Sequence, residues 1–565
     1  MKDKKTLIWL YQNSKKQLLP LLILIIANVL FMGSGLLFVL AGRGVIDSAV
    51  AGERDNLIKQ GIGLFAVIAL QLVLRIFCRS LEVRLQGRLE INYKMKLLRL
   101  LLNKDYSHTS RYHSGELMNR LTGDITVVTE GITTILPDFA GLLTKLLGAL
   151  TVLCIFDLSF TLIFLVVGLL LFFITKYFRE KLKFLHKNVQ ERDGRVRSLI
   201  QELLESLVVV KTFGAEYEME NKTVKLLQGH YKAKIRKNAI STLANTGFSF
   251  AFSIGYLYAL IWSALKLMDK AISFGTLTAI LQLVGQVQSP FAGLSGMLTK
   301  VYGVIASAER MIELEKLPDE LIVNQQEINI TSIYSNMSNI RLENISFHYN
   351  RDKIFEHVDF SIKKGDFIVV TGRSGIGKST LLLLLLGIFI PTEGTISIKL
   401  NSGERILADR HTRKLFAYVP QGNLLLSGTI RESIAFAGST ATDEEIMAAT
   451  QISCAAEFIK ALPQGLDTVI GEKGLGLSEG QIQRLSIARA ILCGAPILLL
   501  DESTSALDED TEKKLLQNIR EITDKTCLII SHRKAVFSLC NKEIHIEDGK
   551  LVVGERDELF VYHTA

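Results

Sequence analysis

GRSGIGKST, Gly372 to Thr380, is the stretch on which the reading of this 565-residue chain turns. It follows the apolar run FIVV and precedes LLLLLL, so it fits a strand, a glycine loop and a helix in succession. Gly372, Gly377, Lys378 and Ser379 complete the pattern G-x-x-x-x-G-K-[ST]. In such a loop the glycines let backbone N–H groups curl round phosphates, the lysine reaches the β and γ oxygens, and the serine offers an oxygen to magnesium. The helix N-terminus adds its positive dipole. The leucine run is too short to cross a bilayer and reads as a buried helix.

Downstream, PILLLDES supplies a short buried strand ending in Asp501, a second oxygen for magnesium, and then Glu502. A DE pair after an apolar run is often only a helix start. After a phosphate loop, a carboxylate one residue past the metal-binding Asp is placed to take a proton from attacking water. The region alternates strand-like and helix-like runs, as an α/β domain with a largely parallel sheet does.

The first half differs. The whole chain is 48% hydrophobic with a mean hydropathy of +0.29 and only eight prolines, and it is too long for one core. Six apolar stretches reach spanning length, at 18–40, 57–77, 133–156, 159–178, 240–268 and 273–299. They form three hairpins. Two basic polar segments, 79–130 and 176–237, separate the hairpins and face the cytosol by the positive-inside rule. Leu199, Leu203, Leu207 and Val210 keep helical spacing there, so the helices are expected to continue out of the membrane. The N-terminus, basic and without a small-residue cleavage site, is expected in the cytosol with no cleaved signal peptide.

The net charge of +8 comes without a Lys/Arg block interleaved with aromatics, which argues against nucleic acid. Six cysteines without CxxC spacing suggest neither zinc nor disulfides, and read as reduced, buried small hydrophobes. Within the spans, Arg75 is expected to snorkel to the interface. Lys145 has two readings, burial against a neighbouring helix or exposure to a watery cavity. Gln282, Gln286 and Ser289 share one helical face, where they either line a cavity or bond between helices. These observations divide the chain into a membrane domain at 1–310, a polar linker at 311–339 containing Pro318, and a nucleotide domain at 340–565.

Between the two nucleotide motifs stands LSEGQ, Leu477 to Gln481, followed by the helical IQRLSIARAIL. With Gln421 in AYVPQGN, STSALDED around Asp508, and His532 in LIISHRKA, it resembles the motif set of the ATP-binding cassette family in the family's order. The whole chain is similar to an exporter half-transporter, and TVIGEKG resembles a segment of exporter cassettes. RYHSGELMNRLTGDI and LVVVKTFGAEYE look like the loops by which exporters press membrane helices onto cassettes.

The resemblance implies ATP and Mg2+ as cofactors and a defined set of roles. Tyr349 would stack on adenine. Gly372, Ser374, Gly375, Gly377, Lys378, Ser379 and Thr380 would hold phosphates, and Ser379, Gln421 and Asp501 would place magnesium. Glu502 would polarise water and His532 steady the γ-phosphate. Ser478 and the Gly480 backbone would act across a dimer seam, capping the other subunit's loop, and Gln481 and Asp508 would join the nucleotide-binding set. The implied function is ATP-driven export of a drug, lipid or peptide across a bacterial cytoplasmic membrane by a homodimer, or by a heterodimer with a related chain. An importer of the same shape and a regulatory membrane ATPase are the alternatives. Glu479 stands where the family more often has glycine, and Asn541 and Arg556 depart from its C-terminal pattern.

Overall fold

In a computed structural model the chain divides into two compact units, residues 1–99 with 114–315, and residues 100–113 with 316–565. The structure describes residues 2–322, 329–349, 352–422, 425–437, 441–471, 474, 476–522 and 525–555. Side chains are excluded at 2, 3, 164–180, 183, 248, 288, 289, 291–296, 298, 299, 534 and 555. Ser289, as a side chain, and Arg556 therefore lie outside the described residues.

The first unit is helical. Its long helices are α1 (Leu18–Ala51), α2 (Arg54–Asn103), α3 (Ile125–Phe156), α4 (Leu158–Glu205), α5 (Glu216–Met268) and α6 (Phe274–Glu315). At 1.5 Å per residue, the 50 residues of α2 and 53 of α5 extend about 75–80 Å, against a bilayer core of about 30 Å. The helices do continue far past their apolar stretches. Among the described residues four helices are long and apolar enough to cross a membrane, within Lys4–Ala51, Arg54–Asn103, Ser114–Phe156 and Glu216–Met268, and α6 contributes a shorter apolar run, Phe274–Val287.

Each tight turn has a local cause. Gly52 takes φ 73° and its N–H returns to Ser48 and Ala49. Asp157, extended at φ −160°, ends α3 and accepts from the Phe160 N–H at 2.9 Å to start α4. The third turn passes through Lys270 at φ 56°. There Asp47 of α1 accepts from the Gly275 N–H at 2.8 Å and the Ser273 hydroxyl at 2.9 Å, capping α6 from a neighbouring helix.

Val39, Ala149, Leu153, Phe160, Ala259 and Ile280 bring five helices to one buried cluster, in which Phe160 stacks on Tyr258 at 5.7 Å. Large apolar side chains elsewhere, such as Phe65 and Ile76 on α2, are exposed, as suits a surface solvated by lipid. A side chain at Gly148 of α3 would start 2.1 Å from Leu36 Cδ1 of α1, so the leucine would have to shift to admit it. Gly148→Leu should destabilise the unit by about 1–3 kcal/mol through overpacking. Thermal melting of the purified protein checks this, with Gly61→Leu, where nothing lies within 4 Å, expected near wild type.

Of the six cysteines only Cys527 and Cys540 are buried, and Cys154 and Cys493 are exposed, which corrects the expectation of six buried thiols. Cys154 lies in the apolar stretch of α3, where bilayer can cover what protein does not.

Besides a two-stranded ribbon of Gly428–Thr429 and Val469–Ile470, the second unit has two main sheets. The antiparallel one contains β1 (Met337–Tyr349), β2 (Asp352–Lys363), β4 (Glu393–Leu400) and β5 (Arg405–Leu407), in the order β2-β1-β4-β5. The other contains β3 (Phe367–Gly372), β6 (Phe416–Val419), β7 (Ile497–Asp501), β8 (Thr526–Ile530), β9 (Lys542–Glu547) and β10 (Lys550–Glu555), in the order β10-β9-β3-β8-β7-β6. Only β10 runs antiparallel to its neighbour. FIVVTG, ILLLD and TCLII are buried throughout because helices cover both faces. The leucine-rich α7 (Lys378–Leu385) packs on one side, and α8 (Glu479–Leu492) with α9 (Glu509–Glu521) on the other.

Residues 100–113 belong to this unit, although they continue α2. The Tyr106 ring lies 6.1 Å from Phe389, Lys104 donates to the Leu317 carbonyl at 2.6 Å, and Arg410 donates to Asn103 at 2.6 Å. The stretch that joins the second unit thus starts upstream of RYHSGELMNRLTGDI. The end of that motif, a π-helical turn at Arg120–Asp124, grips α6 instead. Asp124 accepts from Ser307 at 2.9 Å and from Arg310 Nε at 2.8 Å, and Arg120 donates to the Arg310 carbonyl at 2.7 Å.

Candidate nucleotide site

Four parallel strands end at the same edge of the sheet, and each delivers one element of the site. After β3 come the glycine loop and Lys378, after β6 Gln421, at the end of β7 Asp501 and Glu502, and after β8 His532. The register places Ile530 level with both Val370 and Asp501, so residues some 150 positions apart in sequence become neighbours. This carboxyl edge is where open α/β sheets bind ligands.

In the loop, Gly372, Gly375 and Gly377 have φ of 140°, 78° and 112°. At Gly377 a side chain would also start 2.4 Å from Ile354 Cγ2, so glycine is required there twice over. Ser374 is exposed beside Gly375. Lys378 is buried and its Nζ donates to the carbonyls of Gly372 at 2.9 Å and Arg373 at 3.3 Å. It also lies 3.1 Å from His532 Nε2 and 3.9 Å from Glu502. An ammonium has only donors, so Nε2 accepts and the His532 proton sits on Nδ1. Thr380 bonds the Tyr349 hydroxyl at 3.1 Å, and the Tyr349 ring meets Phe347 and Phe389 edge-on.

Asp501 is 1% exposed, and burial pushes its carboxyl up. The hydroxyls of Ser379 and Tyr418 pull it back down, Glu502 pushes it up, and Lys378 pulls it down. The Tyr418 hydroxyl donates to Asp501 Oδ2 at 3.1 Å, and burial with that carboxylate raises the phenol in turn. Glu502 takes φ 47°, unusual for a non-glycine residue. Its N–H bonds the Ile530 carbonyl at 3.2 Å and its carboxylate accepts from Gln421 at 2.7 Å. Backbone strain of this kind concentrates at functional positions.

Ser379, Gln421 and Asp501 are all oxygen donors, which suits a hard cation such as Mg2+. Among the described residues no cluster of three or more His, Cys, Asp or Glu could hold a metal. A magnesium ion here would take the rest of its shell from phosphate and water, its usual habit.

A raised carboxyl stabilises the fold only while it is protonated. That contribution is present at low pH and lost as pH rises through the raised value, leaving a buried charge at neutral pH. Asp501→Asn should therefore raise the nucleotide-free melting temperature at about pH 7, and by less at about pH 4, near the ordinary carboxylate value, while removing hydrolysis. Paired melting curves at the two pH values check the sign.

Ser478 starts α8, accepting from the Gln481 N–H at 3.3 Å while Gln481 Oε1 accepts from the Ser478 N–H at 2.9 Å. A side chain at Gly480 would start 3.0 Å from the Ala506 carbonyl. Asp508 caps α9, and the Thr511 N–H holds its carboxyl below the usual range. Among the described residues these four have no hydrogen bond to the Lys378 cluster.

Residues that sequence reasoning passed over tie the two groups together. Arg533, next to His532, donates to the carbonyls of Leu507 and Ser505, each at 2.6 Å, and to the fully buried Glu512 at 3.1 Å. Glu512 also accepts from Thr504 at 2.6 Å, and Gln483 of α8 bonds Ser505 and Ala506. Tyr418 was detectable, since alternation along β6 puts it on the same face as residues two positions away. The Arg533–Glu512 pair had no sequence signal. Asn541, left without a role, accepts from the Phe367 N–H at 2.9 Å and donates to Asp366, pinning β9 beside β3.

The membrane candidates are dispersed. Gln286 of α6 donates to the Gly35 carbonyl of α1 at 3.1 Å, Gln282 is exposed, and Lys145 of α3 is half-buried.

Comparison with known proteins agrees with this geometry. Residues 19–291 match the family described as ABC transporter transmembrane region, and residues 355–505 match the family described as ABC transporter. A putative ABC transporter ATP-binding protein of Mycoplasma genitalium is 30% identical over 94% of this chain and 93% of its own. A putative export ATP-binding/permease protein of Rickettsia bellii is 29% identical over 94% and 92%. An ATP-dependent lipid A-core flippase of Legionella pneumophila is 29% identical over 96% and 92%. In fold, a bacterial Atm1-family ABC exporter solved with ATP bound superposes with a TM-score of 0.81 over 97% of this chain and 96% of that one, at 22% identity. A helical membrane region, a cassette built round a phosphate loop and full-length relatives of one kind lead to one conclusion: the chain belongs to the ABC transporter family, as an exporter-type half-transporter whose ATP hydrolysis is coupled to transport.

Proposed function

We propose that two copies of this chain form an exporter that uses Mg2+ and two ATP molecules to move a hydrophobic or amphipathic molecule, a drug, lipid or peptide, out across the cytoplasmic membrane. The observation that carries this reading is the division of the site. Lys378, Gln421, Asp501, Glu502 and His532 converge, while Ser478, Gly480, Gln481 and Asp508 stand apart at the starts of α8 and α9, with no hydrogen bond to that cluster among the described residues. A second copy facing the first would bring its α8 N-terminus, with its positive dipole, to the γ-phosphate.

In the closed pair, Gly375, Gly377, Lys378 and Thr380 hold phosphates and Tyr349 meets the adenine. Ser379, Asp501 and Gln421 would hold a magnesium ion, which would supply positive charge to offset that of the phosphates. Glu502 takes the proton from water, and His532 holds the γ-phosphate by donating a ring N–H to it. ATP favours the closed pair only through its greater affinity for that state, and hydrolysis removes the preference. The exposed Val208, Phe213 and Tyr217 of LVVVKTFGAEYE are the apolar contacts through which the helices would follow a cassette. The cassette, the N-terminus and the basic segments lie in the cytosol in this scheme, and Gln282, Gln286 and Lys145 face the substrate path. Homology to named exporters and a lipid flippase supports outward transport.

Inside-out vesicles test direction. ATP-dependent accumulation of a fluorescent amphiphile inside them is expected, and ATP-dependent loss of a preloaded one would mean import. ATP turnover blind to every amphiphile tried would point to a regulatory ATPase.

A further inference from the structure

The polar extensions of α4 and α5 pack side by side and form a half-open recess of about 210 Å³, lined by Leu185, Asn188, Gly229 and the exposed Arg192, Lys232 and Arg236. Three lining residues are cations and none is an acid. Among the described carboxylates nearby, Glu191 pairs with Lys187, and Asp193 with Arg197 and His230. Among the described residues, none of Arg192, Lys232 and Arg236 is ion-paired. Three like charges round one recess repel each other until an anion enters it.

The recess also has order. Arg192 Nε donates to Asn188 Oδ1 at 2.9 Å and its Nη1 lies 3.4 Å from the Gly229 carbonyl, so the guanidinium is oriented from both helices, above the buried Leu185. Arg236 is four residues, about 6 Å, from the apolar stretch beginning at 240, Lys232 about 12 Å from it, and Arg192 about 21 Å beyond the one ending at 178, so the Arg236 end of the recess is the one at headgroup depth. Headgroup regions extend roughly 5–7 Å from each side of the hydrocarbon. The volume is below the roughly 300–1,000 Å³ of drug-sized sites, which suits a headgroup better than a whole amphiphile.

We infer that this cleft binds a phosphate ester, supplied by an anionic phospholipid headgroup reaching up from the adjoining leaflet or by a soluble phosphorylated metabolite. Arginine supplies a bidentate fork for phosphate oxygens, and the two residues on α5 complete the charge. The cleft uses none of the nucleotide-site residues and none of Gln282, Gln286 and Lys145, so an anion held there would bridge α4 and α5 whatever the transported molecule is.

Native mass spectrometry of the full chain in detergent tests this, with dioctanoyl-phosphatidylglycerol, dioctanoyl-phosphatidylcholine and glycerol 3-phosphate as probes. Phosphatidylglycerol should bind more tightly than phosphatidylcholine, and Arg192→Gln with Arg236→Gln should weaken it at least about 10-fold, the scale of lost charge-assisted hydrogen bonds. Glycerol 3-phosphate without effect identifies a lipid as the source. Glycerol 3-phosphate that binds comparably, with the same loss in the variant, identifies a soluble ester. Arg192→Lys keeps the charge but loses the fork, and should weaken binding about 3- to 10-fold even if the double variant fails to fold. Wild-type affinity in these variants, or an equal loss in the charge-matched Lys222→Gln with Lys225→Gln, overturns the proposal.

Discussion

Glu502→Gln is expected to bind ATP as the wild type does and to hydrolyse it about 10²- to 10⁴-fold more slowly, the range that a general base contributes. The substitution keeps length and shape, and glutamine can still accept from Gln421, which lies 2.7 Å from the carboxylate. The bond between the residue 502 N–H and the Ile530 carbonyl belongs to the backbone and persists. What disappears is a group able to take a proton. The φ of 47° at this position is set by the chain leaving β7, so the side chain stays aimed where the carboxylate was. With hydrolysis blocked, ATP should hold a closed dimer, visible as a larger species by light scattering. Turnover within a few-fold of wild type would remove Glu502 from this role.

Lys378→Ala fails earlier, at binding. Its ammonium is the buried cation among the groups proposed to meet the phosphates, and it is held by the carbonyls of Gly372 and Arg373 and by His532. Hydrogen bonds to charged groups contribute about 1.5–3 kcal/mol each, so ATP affinity should fall roughly 10- to 100-fold. The loop should survive, because its shape depends on glycine dihedrals and on Gly377 packing against Ile354. A fluorescent ATP analogue titrated into both proteins separates the two variants. Glu502→Gln keeps the affinity and loses the rate, whereas Lys378→Ala loses the affinity first.

Most of the cassette was legible because its chemistry is local. A phosphate loop needs glycines, a lysine and a serine within nine residues, and no tertiary contact can substitute for them. The spans were legible for a similar reason, since each helix closes its own backbone hydrogen bonds and must be apolar over its own length. The turns follow the same logic, with Gly52 and Asp157 doing in one residue what a loop would otherwise do.

What the residue order could not decide is which distant groups meet. That Asp124 of RLTGD would hold Arg310, and that residues 100–113 would pack with the second unit, depends on where long helices cross. That Arg533 would reach Glu512, or Tyr418 reach Asp501, depends on strand order and register in the sheet. Sequence alone determined the elements and the chemical identity of the nucleotide residues, because propensity, apolar run length and motif spacing act within a short stretch of chain. Only the tertiary structure decided the partners of each buried charge, because an ion pair is set by distance in space, and strands adjacent in the sheet can be far apart in the chain.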